Sequence, residues 1–172
     1  MTSLPRILLR KARTLAAQPA FVWLWLAPTW LLLGLSRATI LVVPFRRLAP
    51  RIGVLTGVEP WIPLISEAQR VRAVQIARTV NTAARYTPWE SNCFPQAVTA
   101  RILLGLYRIP YALYFGLAKG PGHAETKAHA WVAAGPVRVT GGLSFPRFTV
   151  VGCFVAPPLA RSWRPLGSGG AS

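Results

Sequence analysis

The chain has 172 residues, 52% of them hydrophobic and 14% charged, which is enough apolar material for one packed domain and excludes a disordered tail. Lys and Arg total 20 against 4 acidic residues, a net charge of +16, and every acidic residue is Glu. The absence of Asp rules out metal sites and triads built on it, and two cysteines rule out a disulfide framework or a four-thiolate zinc site.

The N-terminal stretch SLPRILLRKARTLAAQ reads as a basic helix with Leu4, Ile7, Leu8 and Leu15 as its apolar positions. From Ala20 to Leu35 there is no charge, but Pro28 interrupts the run and Arg37 closes it. A bilayer span needs roughly 20 apolar residues, so the run is short. Cations flank it on both sides (Arg10, Lys11 and Arg13; Arg37, Arg46, Arg47 and Arg51), which leaves no asymmetry to orient a span. No small-residue cleavage site follows cleanly, so it is not read as a secretory signal. Helices that pack on the domain, or rest peripherally on an anionic inner membrane surface, are the expectation, with a cytoplasmic location.

Val54 to Leu64, with Pro60 and Pro63, reads as a loop. Ile65, Val71, Val74, Ile76 and Val80 then recur at helical spacing, with Ser66 as N-cap and Pro88 as a stop. A second, strongly apolar helix is expected from Gln96 to Leu106, ending at Gly105 and the turn before Pro110. The period then changes. YALYFGLA, AHAWVAA, VRVTG and RFTVVGCFV are short, β-branched and aromatic, and separated by Gly and Pro. Helices followed by antiparallel strands make an α+β domain. The expected division is a helical region at 1–53, a core at 54–156 and a loose Pro/Gly/Ser-rich tail at 157–172.

Cys93 sits just before the second helix, with Pro95 suited to its first turn. A thiol there feels the positive end of the helix dipole, and the free N–H groups beside it can hold an oxyanion. The alternative is a small buried residue at a helix start. Of the two histidines, His123 lies in the glycine-broken loop KGPGHAETK and reads as solvated, whereas His129 lies in a strand. A helix-borne Cys followed by a strand-borne His is the chain order of papain-like and transglutaminase-like thiol enzymes. Cys153, in the continuously apolar TVVGCFV, reads as packing.

Together these segments resemble the transglutaminase-like leader peptidases of lasso-peptide biosynthesis, in the form where the protease is a separate chain. The resemblance rests on Trp89 and Cys93 in WESNCFPQAVTARILLGLYRIP, on Gly116 in YALYFGLA, on His129 in AHAWV, on RFTVVGCF, and on PFRRLAPRIG with the apolar helices before it. It implies a papain/transglutaminase-like core: a helix carrying Cys, packed on an antiparallel sheet carrying His, preceded by apolar helices. It also implies a cysteine peptidase that removes the leader of a ribosomal precursor peptide before a separate cyclase closes the ring. Cys93 would be nucleophile and His129 general base, with Trp89 and Trp131 as candidate substrate contacts; for Trp89 a core role is the alternative. The family's usual Asp beyond the histidine has no counterpart, since that region reads VTGG.

A hairpin turning at Gly135-Pro136 would pair Ala134 with Val137, Trp131 with Thr140 and His129 with Gly142. Thr140 would then lie within reach of the imidazole and could orient it; a backbone carbonyl or Glu90 are the alternatives. No cofactor motif or metal-ligand set is evident, and the sequence is silent on a nucleotide requirement. A leader-recognition module needs roughly 80 residues of its own, and the segment before Cys93 is too apolar and loop-rich to be one. A separate small recognition protein is therefore expected beside the precursor and the cyclase. The competing class is a non-catalytic, basic, membrane-associated scaffold. The scattered arginines (Arg72, Arg101, Arg138 and Arg161 among them) and the lack of any recognition motif give no nucleic-acid partner.

Overall fold

A computed structural model describes residues 18–59, 61–119, 126–142 and 147–157; the basic N-terminal helix, His123, Arg161 and the expected loose tail beyond 157 lie outside the described residues. Helix α1 spans Ala20–Val42 and runs through Pro28 instead of breaking there. Pro28 faces outward, and the helix is held by its inner face, where Phe21, Val22, Thr29, Leu33 and Ser36 are buried. Tertiary packing therefore offsets the lost backbone bond and the ring clash. Ser36 Oγ and Thr99 Oγ1 lie 3.1 Å apart across that interface. By length and composition α1 is also the one helix among the described residues that could cross a membrane. Its outer face stays apolar and exposed, at Leu24, Leu31 and Leu35.

A short helix α2 (Phe45–Ile52) leads into a two-residue strand β1 (Val54–Leu55), inside the stretch expected to be a loop. Pairing with a distant strand decides this, not local propensity: Val54 faces Val155 and Leu55 faces Phe154. Helix α3 (Glu67–Ala84) starts as expected, with Ser66 and Gln69 forming a reciprocal capping box. The Gln69 amide also donates to the Arg108 carbonyl, 3.1 Å away, tying this start to the turn after the next helix.

Helix α4 is Cys93–Leu106, so Cys93 is its first residue and not a residue ahead of it. Pro95 stands third, where a helix has no use for an N–H. Strands β2 (Ala112–Lys119), β3 (Thr126–Ala134), β4 (Val137–Arg138) and β5 (Thr149–Val155) complete an antiparallel sheet of order β1-β5-β2-β3-β4.

Strand alternation gives the sheet two faces. Leu113, Ala130, Val132, Ala134 and Phe154 point toward the helices and join Ile76, Val80, Leu103 and Leu104 in one cluster. Phe21 and Ile52 belong to that same cluster, so α1 and α2 are packed into the core of the domain. On the outer face Ala112, Tyr114, Trp131, Cys153 and Val155 form a second cluster, covered in part by Trp61.

Candidate active site

The segment ahead of Cys93 is pinned from several sides. Thr87 Oγ1 lies 3.0 Å from the carbonyls of Ala84 and Trp89 and 2.8 Å from Ser91 Oγ. Arg37 on α1 donates to the Glu90 carbonyl at 2.6 Å, and its guanidinium lies 3.6 Å from the Glu90 carboxylate. Glu90 is thereby committed to α1 and does not orient the histidine. Trp89 is likewise turned to α1: its ring lies 4.5 Å from that of Trp30, and a Cβ on Gly34 would come within 2.9 Å of it. The expected substrate contact at Trp89 is thus a packing contact, and Gly34 makes room for it.

At the start of α4 the Gln96 amide closes on the Ser91 carbonyl at 2.6 Å, while Asn92 supplies no side-chain cap. The N–H groups of the first turn therefore receive no side-chain oxygen, beside a thiol that is half-buried. That is the disposition an oxyanion site requires. Cys153 differs in every respect: it is fully buried on the outer face, and burial pushes its thiol above the ordinary range.

His129 lies on β3 opposite Gly116 of β2. Its ring stacks on the outer face with Trp131, 5.9 Å away and tilted 27°, and with Phe148, 4.9 Å away and tilted 29°. Trp131 in turn stacks on Tyr114 at 5.4 Å. Trp131 is therefore a shelf for the imidazole. Gly116 is what lets the indole lie flat, because a Cβ there would come within 2.8 Å of it.

His129 Nε2 lies 3.0 Å from the carbonyl of Gly141. A carbonyl only accepts, so Nε2 carries the proton and Nδ1 is the basic nitrogen of the neutral ring. The expected Thr140 contact is not made. The hairpin begins as counted, with Ala134 opposite Val137, but pairing ends at Arg138. The N–H groups of Val139 and Thr140 both turn to the Val132 carbonyl, at 2.8 and 3.3 Å. Thr140 Oγ1 instead accepts from the Val132 N–H at 3.2 Å, so its hydroxyl holds the backbone and not the ring. Released from the ladder, Gly141 adopts φ +89°, and a Cβ there would collide with Trp131 and come within 3.3 Å of His129 Nε2. A side chain of any kind is excluded at Gly141. The glycine pair in VTGG was the legible signal; which atom it brings to the histidine was not.

Cys93 and His129 line one cavity of about 530 Å³, whose lining also includes Phe115 and Gly116, between which β2 and β5 slip register. No hydrogen bond joins the thiol to the imidazole: Cys93 packs with the helix-side cluster, and the ring sits with the outer-face aromatics. Among the described residues no group of three or more His, Cys, Asp or Glu side chains could hold a metal.

A helix opening on a cysteine is thus laid against an antiparallel sheet that carries a histidine, in an α+β domain. The sequence pattern of the Transglutaminase-like superfamily matches residues 39–153, well over half of the chain, and the protein belongs to that superfamily. No curated protein and no solved structure matches the chain.

Proposed function

We propose that this protein is a cysteine peptidase that removes the leader from a ribosomally made lasso-peptide precursor before a separate cyclase closes the ring. The observation that carries the peptidase reading is the cavity shared by Cys93, at the uncapped start of α4, and His129, on β3. The leader-peptide substrate rests on the sequence resemblance around Cys93 and His129. In this reading Cys93 attacks the scissile carbonyl, and the first-turn N–H groups of α4 receive the developing oxyanion. Nδ1 of His129 takes the thiol proton while Gly141 holds Nε2–H. This step requires Cys93 and His129, which line one cavity without a hydrogen bond between them, to come within about 3 Å of each other when the peptide is bound. A separate small protein presents the leader, and the basic surface suits an acidic leader or that partner.

The test is cleavage of a synthetic precursor by the purified protein, with and without a leader-recognition protein, followed by mass spectrometry. Cys93→Ala should lower the rate at least about 10³-fold while the fold is kept, and His129→Ala should be comparably silent because the pair acts as a unit. Turnover of Cys93→Ala at the wild-type rate would remove the mechanism. A second reading, a membrane-associated scaffold with no catalysis, is favoured by the exposed apolar face of α1. Release of the protein from membranes by carbonate or high salt, with leader cleavage intact, would leave peripheral attachment as an accessory property only.

A further inference from the structure

The wall of the cavity beyond Cys93 is built to a different chemistry from the rest of this strongly cationic chain. Among the described residues that line it there is no Lys, Arg, Asp or Glu. Four phenylalanines, one each from α2, α4, β2 and β5, meet there largely edge to face: Phe45 and Phe115 at 5.4 Å and 87°, Phe94 and Phe115 at 5.3 Å and 69°, Phe115 and Phe154 at 5.7 Å and 81°. Such contacts fix ring positions, so the wall is pre-formed. Large apolar groups around it stay open to solvent, with Phe45 46%, Leu55 60% and Val151 47% exposed. Their convergence on one hollow beside a half-buried thiol is what a ligand, and not the core, would cover.

Gly152 gives an independent indication. It stands in the middle of β5, opposite Phe115, where a glycine weakens a strand. Nothing in the packing demands it: a Cβ at this position would lie 3.9 Å from both Leu55 Cδ1 and Phe154 Cε2, an ordinary contact, and its φ is not in the left-handed region. Gly116 and Gly141 are each enforced by Trp131, whereas Gly152, which flanks the register shift between β5 and β2, lines the cavity with no side chain to fill it.

We propose that this cavity is the subsite for one bulky apolar side chain, aromatic or leucine-sized, of the peptide whose bond Cys93 attacks, and that Gly152 keeps it open. The assignment rests on the peptidase reading for its substrate but is testable without cleavage. Matched acyl-aminoacyl chloromethyl ketones bearing Phe, Leu, Ala or Glu side chains would be reacted with the full-length protein. In each case the Cys93 sulfur displaces chloride, and the alkylated protein is counted by intact mass. After division by each reagent's rate with glutathione, the Phe and Leu reagents should label Cys93 at least about 10-fold faster than the Ala and Glu reagents. With each rate divided by that protein's own rate with iodoacetamide, Gly152→Leu should bring the Phe reagent down to the Ala rate, and Gly152→Ala should have a smaller effect.

Equal normalised rates for the Phe and Glu reagents would overturn the subsite. So would a Gly152→Leu protein, folded by its circular dichroism, that keeps the Phe preference; should that variant not fold, the wild-type reagent series decides alone. Side-chain selectivity without precursor cleavage would leave the subsite standing and remove the peptidase reading. Cleavage without selectivity would do the reverse.

Discussion

The two faces of the sheet are stabilised by different physics. On the helix side, Leu113, Val132 and Phe154 meet Ile76, Val80 and Leu103 chiefly through burial, which is non-directional and follows area, beside buried polar contacts such as Tyr111 donating to the Ile52 carbonyl at 2.6 Å. On the outer face the aromatic and hydroxyl groups end in polar atoms that reach backbone. Tyr114 donates to the Trp61 carbonyl, His129 to the Gly141 carbonyl, and Thr56 to the Cys153 carbonyl at 3.2 Å, while Thr140 accepts from Val132. Non-directional burial suits a scaffold that must hold a helix start in place. Directional bonds suit a ring whose tautomer and angle have to be set. The candidate site lies where the two meet, with its thiol on one side and its imidazole on the other.

The widest separation between the faces is expected in thiol reactivity. Cys93 is half-buried at a cavity wall, whereas Cys153 is buried and burial pushes its thiol up. Alkylation at neutral pH followed by peptide mapping should modify Cys93 at least about 10²-fold faster, since burial both shields Cys153 and raises its thiol. Equal and slow labelling of the two would mean that the faces do not differ in this way, and would strengthen the scaffold reading.

Stability should separate them next. Leu103→Ala empties part of the helix-side core and is expected to lower unfolding free energy by about 2–5 kcal/mol in urea titration. On the outer face Thr140→Val keeps shape but leaves the Val132 N–H without its partner, for about 1–3 kcal/mol. If the two losses were equal, directional bonding would matter as much as burial here.

The smallest effect is expected from pH. Burial, then the neighbouring Cys153, pushes Tyr114 from the ordinary value of 10.0 to about 12, and burial raises Tyr111 and Cys153 in the same direction. These groups stay protonated in the folded state at pH values where the unfolded chain has released their protons. Their contribution is therefore complete below the unfolded values and falls as pH rises through about 10 to 12. Urea midpoints measured from about pH 8 to pH 11 should decline, and Tyr114→Phe should flatten the decline while losing about 1 kcal/mol at neutral pH. An undiminished slope in that variant would place the alkaline sensitivity elsewhere.

Much of this protein was determined by its sequence alone. The spacing of Ile76 and Val80 and the Ser66 cap set α3, and the switch to short β-branched segments after Pro110 set an antiparallel sheet behind the helices. The order of Cys93 and His129 pointed to a thiol-enzyme fold because periodicity and capping are local properties. What only the tertiary structure decided lies in long-range contacts. Pairing with β5 made a strand of Val54–Leu55, packing carried α1 through Pro28, and Trp30 with Arg37 drew Trp89 and Glu90 away from the cleft. A release from the ladder after Arg138 put a carbonyl of Gly141, not the hydroxyl of Thr140, on the imidazole. A strand's alternation says which face a side chain takes, but where pairing stops depends on what the next residues bond to, and Thr140 found Val132.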